Sequence, residues 1–197
     1  YKFYGWNRWI SDKLYDNNSN EYTSYVPTKK LKITVDMAAY IKNGWISPND
    51  TVGRVNELLF DLPGNALYKN GLLLLDIIAN NSNERPVCFT TTTGSDVYMG
   101  LMNYFELRGL VYRIVPYNTP PQAQNNYGRI NTDTLYNLLV NVYKWGGMED
   151  HEMYVDDKAK LVPYNVRNHF YRLAVALYQE GKNEKAIAAL DHSQKSI

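Results

Sequence analysis

Little in this chain suggests covalent or metal chemistry. Its 197 residues hold one cysteine, Cys88, so no internal disulfide can form, and cysteine usage fixes no redox compartment. The three histidines, His151, His169 and His192, lack the spacing of a metal site, and no cysteine cluster joins them. No metal and no cofactor is expected. An excess of one charge is also missing, with 21 Lys+Arg against 20 Asp+Glu. Without a basic stripe a nucleic-acid partner is not expected. The longest apolar run, residues 71–79, falls far short of the ~20 residues a spanning helix needs. Neither an initiator methionine nor a signal-peptide pattern is present. The chain opens on Tyr1 and closes on Ile197 beside a helix, so the expectation is a piece of a longer protein.

What is present is an ordinary globular composition, 45% hydrophobic and 21% charged, which predicts a folded core. Tyrosine is the unusual residue, with 18 copies beside 4 tryptophans. Such aromatics stack on sugar rings when exposed, and fill cores and rims when not.

Patterning predicts an α/β fold: a small, partly parallel sheet with flanking helices, followed by an all-α C-terminal part. Residues 1–28 form an aromatic N-terminal segment with Trp6 and Trp9, read as a short helix or turn and then loop. Residues 29–117 form the α/β domain. Within it, Lys30 to Val35 alternates at period two and predicts a strand, and Asp36 can cap a helix over 37–42 that Gly44 ends. Residues 54–61 fit a strand or a helical turn, the strand being favoured, closed by Pro63 and Gly64. Residues 69–80 read as a helix apolar nearly all round, hence buried. Residues 87–92 are β-branched and aromatic, the mark of a strand buried on both faces, which would bury Cys88 as an inert thiol. A helix over 97–107, a stop at Gly109 and a strand over 110–115 complete a crossover unit that predicts parallel pairing.

Residues 118–130 form a polar linker loop, and 131–197 a helical region. There Asn131 or Thr132 can cap a helix carrying Leu135, Leu138, Leu139 and Val142 on one stripe. A hairpin within 164–197 turns at Gly181. Its spacing of Leu173, Ala174 and Leu177, then Ala186, Ile187 and Leu190, resembles a tetratricopeptide repeat. One such repeat cannot bury its own face.

Candidate ligand contacts gather at the turn after residue 92. Gly94, Ser95 and Asp96 sit between a strand and a helix N-terminus, where backbone N–H groups can hold an anion or a sugar hydroxyl. Ser95 or Asp96 could equally cap that helix. Asp36 follows its own strand in an equivalent place, and parallel strands would set Asp36 and Asp96 along one carboxyl edge, the usual ligand position in open α/β sheets. Tyr98 and Arg113 complete the candidate set, although Arg113, like Arg85 and Arg108, can pair structurally with acidic neighbours. No dinucleotide fingerprint, serine elbow or triad order is visible, so no catalytic residue is assigned.

Several motifs resemble the C-terminal soluble region of multi-spanning bacterial membrane proteins related to protein O-mannosyltransferases. They include Leu75 to Asn81, Arg85-Pro86, Phe89 to Thr91, Gly94 to Asp96, Tyr98 to Leu101, Tyr104-Phe105, Gly109 to Arg113, Asn131 to Asp133, Lys144 to Gly146 and Tyr164 to Asn168. Cys88 departs from the aromatic more usual there, and the segment before residue 50 is less familiar. The resemblance implies a soluble, extracytoplasmic piece on the periplasmic side, a parent transmembrane domain, and tetratricopeptide repeats further on. It implies a catalytic acid upstream of this chain and none within it. A docking module for acceptor protein or partner subunits is therefore expected, with a carbohydrate or small-molecule site near Asp36, Gly94, Asp96 and Tyr98 as the alternative.

Overall fold

The structure, a computed structural model, describes residues 12–16, 21–25, 29–64, 67–81, 84–120, 126–148, 156 and 160–197. Trp6, Trp9 and His151 lie outside them. The early helix or turn expected at the start of 1–28 lies outside the described residues; where loop is expected to follow, strands β1 (Asp12–Asp16) and β2 (Glu21–Tyr25) pair antiparallel, Asp12 opposite Tyr25. Tyrosine and threonine at 22, 23 and 25 favour extended backbone, which explains the outcome.

Period-two patterning places β3 (Lys30–Thr34) where the alternation predicts it. It pairs antiparallel with β4 (Glu57–Asp61), Ile33 opposite Leu58. Ile33, Leu58 and Phe60 are buried while Leu59 points to solvent, so one face packs and the other is wet. Each buried side chain of this size contributes roughly 1.5–3 kcal/mol. Helix α1 (Met37–Lys42) begins at its expected cap, where the Ala39 N–H donates to Asp36 Oδ1 at 3.0 Å. Helix α2 (Lys69–Asn81) also lies where predicted, but it is not buried all round. Leu75 and Ile78 are enclosed, whereas Leu73 and Ile77 face solvent, as a helix against a single layer requires.

The next strand, β5 (Cys88–Thr90), is shorter than predicted and covered on one face only. Phe89 is buried between exposed Cys88 and Thr90, so the inert buried thiol is corrected to an exposed one. Alternate residues of a strand point to opposite faces, so a sheet packed on one face here buries Phe89 and leaves Cys88 and Thr90 open.

The helix expected over 97–107 does not form. Two 3-10 turns, Ser95–Tyr98 and Leu101–Tyr104, lead directly into β6 (Phe105–Arg108). Between the turns Met99 and Gly100 take φ of 52° and 78°, and right-handed helix cannot pass through two left-handed residues. A Cβ at Gly100 would overlap the Asp61 carbonyl oxygen, so glycine is required there. Strand β7 (Val111–Ile114) follows a tight turn at Gly109. The parallel pairing joins β6 to β8 (Arg129–Ile130), Glu106 opposite Arg129, without the crossover helix anticipated over 97–107.

The chain divides into two compact units. The first comprises Tyr1–Phe105 and Arg113–Tyr127, the second Glu106–Tyr112 and Gly128–Ile197. In the first, Phe89, Tyr98 and Phe105 pack ring against ring with centroids 5.0–5.4 Å apart. Tyr104 ties its turn to β4: its hydroxyl donates to Leu59 O at 3.0 Å and accepts from Leu59 N–H at 2.9 Å. A further cluster, Tyr40, Ile46, Val115 and Tyr117, fills the space against α1.

In the second unit Asn131 caps α3 (Thr132–Tyr136), accepting from the Thr134 N–H at 3.0 Å. That helix widens into a π turn over Asn137–Val142. The wider turn carries Val142 off the buried stripe of Leu135 and Leu139 and into solvent. The expected helical hairpin is present as α4 (Leu161–Gln179) and α5 (Asn183–Ser196), turning at Gly181 with φ of 75°. Leu173, Ala174 and Leu177 of α4 and Ala186, Ala189 and Ser193 of α5 are buried, while Ile187 and Leu190 face outward. Small residues on α5 allow close approach of the two helices.

Candidate functional site

After β4 the chain turns at Pro63 and Gly64, and α2 begins at Lys69. The first turn of that helix meets the segment 96–99, leaving a cavity of about 310 Å³. Its walls are apolar, formed by Leu67, Leu74, Val97 and Met99. Tyr68, Asn70 and Asp96 supply its polar side chains. Gly71 makes the room: a Cβ there would stand 2.8 Å from Leu67 Cδ1 and 3.3 Å from Met99 Cε.

Of the six residues singled out from sequence, Asp96 alone lines this cleft. It is exposed, and it caps nothing: the turn begins at Gly94, without a side-chain cap from Ser95 or Asp96. Ser95 is exposed beside it. Tyr98 is a core residue whose hydroxyl donates to Thr93 O at 2.8 Å. Arg113 is buried and donates to the carbonyl of Trp45. Beside it, burial pushes the Tyr40 phenol up to about 12, partly opposed by the Arg113 charge. Asp36 serves as the cap of α1. Because β3 pairs antiparallel with β4 in a sheet of its own, Asp36 and Asp96 do not share one carboxyl edge. Tyr68, Asn70 and Met99 were not singled out by their sequence pattern. The available signal was Gly71, a residue that costs about 1 kcal/mol within a helix and so points to a packing requirement.

In the second unit the buried Arg172 and Glu106 both have partners. Arg172 donates to the Tyr112 hydroxyl at 3.1 Å and to Gly128 O at 3.3 Å, its guanidinium 5.9 Å from the Tyr112 ring centroid. Burial lowers its pKa and Tyr112 opposes the shift. Burial, with the Arg172 charge second, lowers His169 to about 4, so that imidazole stays neutral. Glu106 and Arg129 stand 3.8 Å apart across the parallel pair. These contacts clamp β6, β7 and α4, which is why the tip of the β6–β7 hairpin belongs with the helices.

The outer side of α4 differs in character. Leu161, Tyr164, Asn168, Tyr171, Val175 and Tyr178 recur every three or four residues, the spacing of a coiled-coil seam. The five apolar members are exposed, from 38% at Val175 to 72% at Tyr164. Among the described residues no group of His, Cys, Asp and Glu could hold a metal, and no helix is long and apolar enough to cross a membrane.

No curated protein and no solved structure matches the chain. A family model described as TMEM260-associated domain 2 matches residues 7–134, more than half of the sequence and all of the cleft, and the chain belongs to that family.

Proposed function

We propose that this chain is a non-catalytic, extracytoplasmic module of a membrane-embedded glycosyltransferase. In this reading it docks a helical segment of the acceptor protein or of a partner subunit on the outer side of α4. The observation that carries the reading is the exposed seam from Leu161 to Tyr178, a stripe that a second helix would cover by knobs-into-holes packing. The family description supports the link to a membrane parent, since it associates the domain with TMEM260. The resemblance to O-mannosyltransferase-related proteins supports the chemistry assigned to that parent. Among the described residues the cleft holds one carboxylate, Asp96, and no second carboxylate, histidine, lysine or cysteine to pair with it, which supports a non-catalytic role.

The test replaces Tyr171 and Val175 with serine and measures affinity for the purified membrane part of the parent and for acceptor protein. Removing two exposed side chains that docking would bury should weaken binding at least about tenfold, with the fold retained. Unchanged affinity for both would remove the seam from the account. A second reading, a carbohydrate or small-molecule site, has the cleft at Asp96 in its favour.

A further inference from the structure

We infer that the cleft beside Asp96 binds an organic cation carried on an apolar stem, of the size of a lysine or arginine side chain. Three observations converge on that chemistry. First, the cavity is preformed and, at about 310 Å³, reaches the lower end of the range for small-molecule sites. Second, its lining contains a carboxylate and neither lysine nor arginine, and no hydrogen bond or ion pair engages Asp96 among the described residues. Third, the walls beyond that carboxylate are methyl and methylene groups of Leu67, Leu74, Val97 and Met99, with the exposed ring of Tyr68 also lining the cleft.

A cation with an alkyl stem matches all three. Its head compensates the charge and donates to the carboxylate, its stem lies against apolar walls, and Tyr68 offers a π face. A hexose fits less well, because hydroxyls pressed on those walls lose water without gaining partners, and among the described residues only Tyr68 and Asn70 join Asp96 as side-chain acceptors. The head group can belong to a free amine or to a basic residue of a peptide. The chemistry recognised is the same in both.

Methyl NMR of the intact chain tests the inference, with Leu67, Leu74 and Met99 as reporters. The titrants are agmatine, butylamine, an acetylated peptide with one central lysine, pentanol and a methyl hexoside. The cations should produce saturable shifts at these methyls that weaken with added salt. Agmatine or butylamine binding more tightly than the peptide assigns the site to free amines, and the reverse order assigns it to a protein segment. Asp96→Asn, which keeps the shape, should weaken the cations at least about tenfold. Gly71→Ala, which pushes Leu67 and Met99 into the cleft, should weaken them while leaving amide shifts elsewhere in place. Two results overturn the inference. One is no saturable shift with any cation. The other is pentanol or the hexoside binding as well as the cations, with Asp96→Asn having no effect.

Discussion

His169 offers the most quantitative check on the second unit. It lies on α4 at 4% exposure, close enough to Arg172 for that charge to act on it, and its folded pKa is lowered to about 4. In the unfolded chain the same imidazole titrates near 6.5. Between those values the unfolded state binds a proton that the folded state refuses. The contribution of neutral His169 is therefore complete above about pH 6.5, is lost as pH falls towards 4, and stays flat below. The gap between 6.5 and about 4 corresponds to a loss on the order of 3 kcal/mol. Urea unfolding at several pH values from about 7 to about 4, on wild type and on His169→Gln, isolates it, because carboxylate titrations common to both chains cancel in the difference. Wild type should lose about 3 kcal/mol more than the variant over that window. A difference that stays constant with pH would mean that His169 is solvated, and the packing of α4 described above would be wrong.

Three further outcomes follow from the geometry. Tyr104→Phe leaves the N–H and C=O of Leu59 without their side-chain partner, so thermal or urea unfolding should show a loss of about 1–2 kcal/mol. Gly100→Ala forces a left-handed alanine against the Asp61 carbonyl and should cost more than about 2 kcal/mol, with faster amide exchange in β4. Lys182 stands 2.7 Å from Glu180 and 3.5 Å from Asp133, with its pKa raised chiefly by the Glu180 hydrogen bond. The site is about one-third exposed, so Lys182→Met should cost under about 1 kcal/mol, an effect that added salt erases.

Where local chemistry decides structure, the sequence was legible. Asp36 ahead of five apolar or aromatic residues and Lys42 predicts α1 with its bounds, alternation predicts β3, and Gly181 between two periodic runs predicts the α4–α5 hairpin. The misreading of 97–107 has a nonlocal cause. Val97, Leu101 and Tyr104 carry helical spacing, but the approach of the Asp61 backbone, far away in sequence, holds Gly100 in a left-handed conformation that ends the helix. The apolar neighbours of Cys88 predict an interior place, whereas a strand covered on one face buries only alternate residues. The cleft was legible only through Asp96. Its other walls come from two segments, near 63–74 and 97–99, which tertiary packing brings together. The seam on α4 was hidden for another reason: its tyrosines fit both a buried and an exposed face, and periodicity alone does not say which face is covered.

Photo-crosslinking bears most directly on the docking account. A photoreactive amino acid is placed at Tyr171, or at exposed Glu84 as control, in the chain assembled with its membrane parent and acceptor protein. The account predicts strong adducts from Tyr171, mapping to one helical segment of the acceptor or of a partner subunit, and none from Glu84. Equal labelling from both positions, or none from Tyr171 while acceptor modification proceeds, would contradict it.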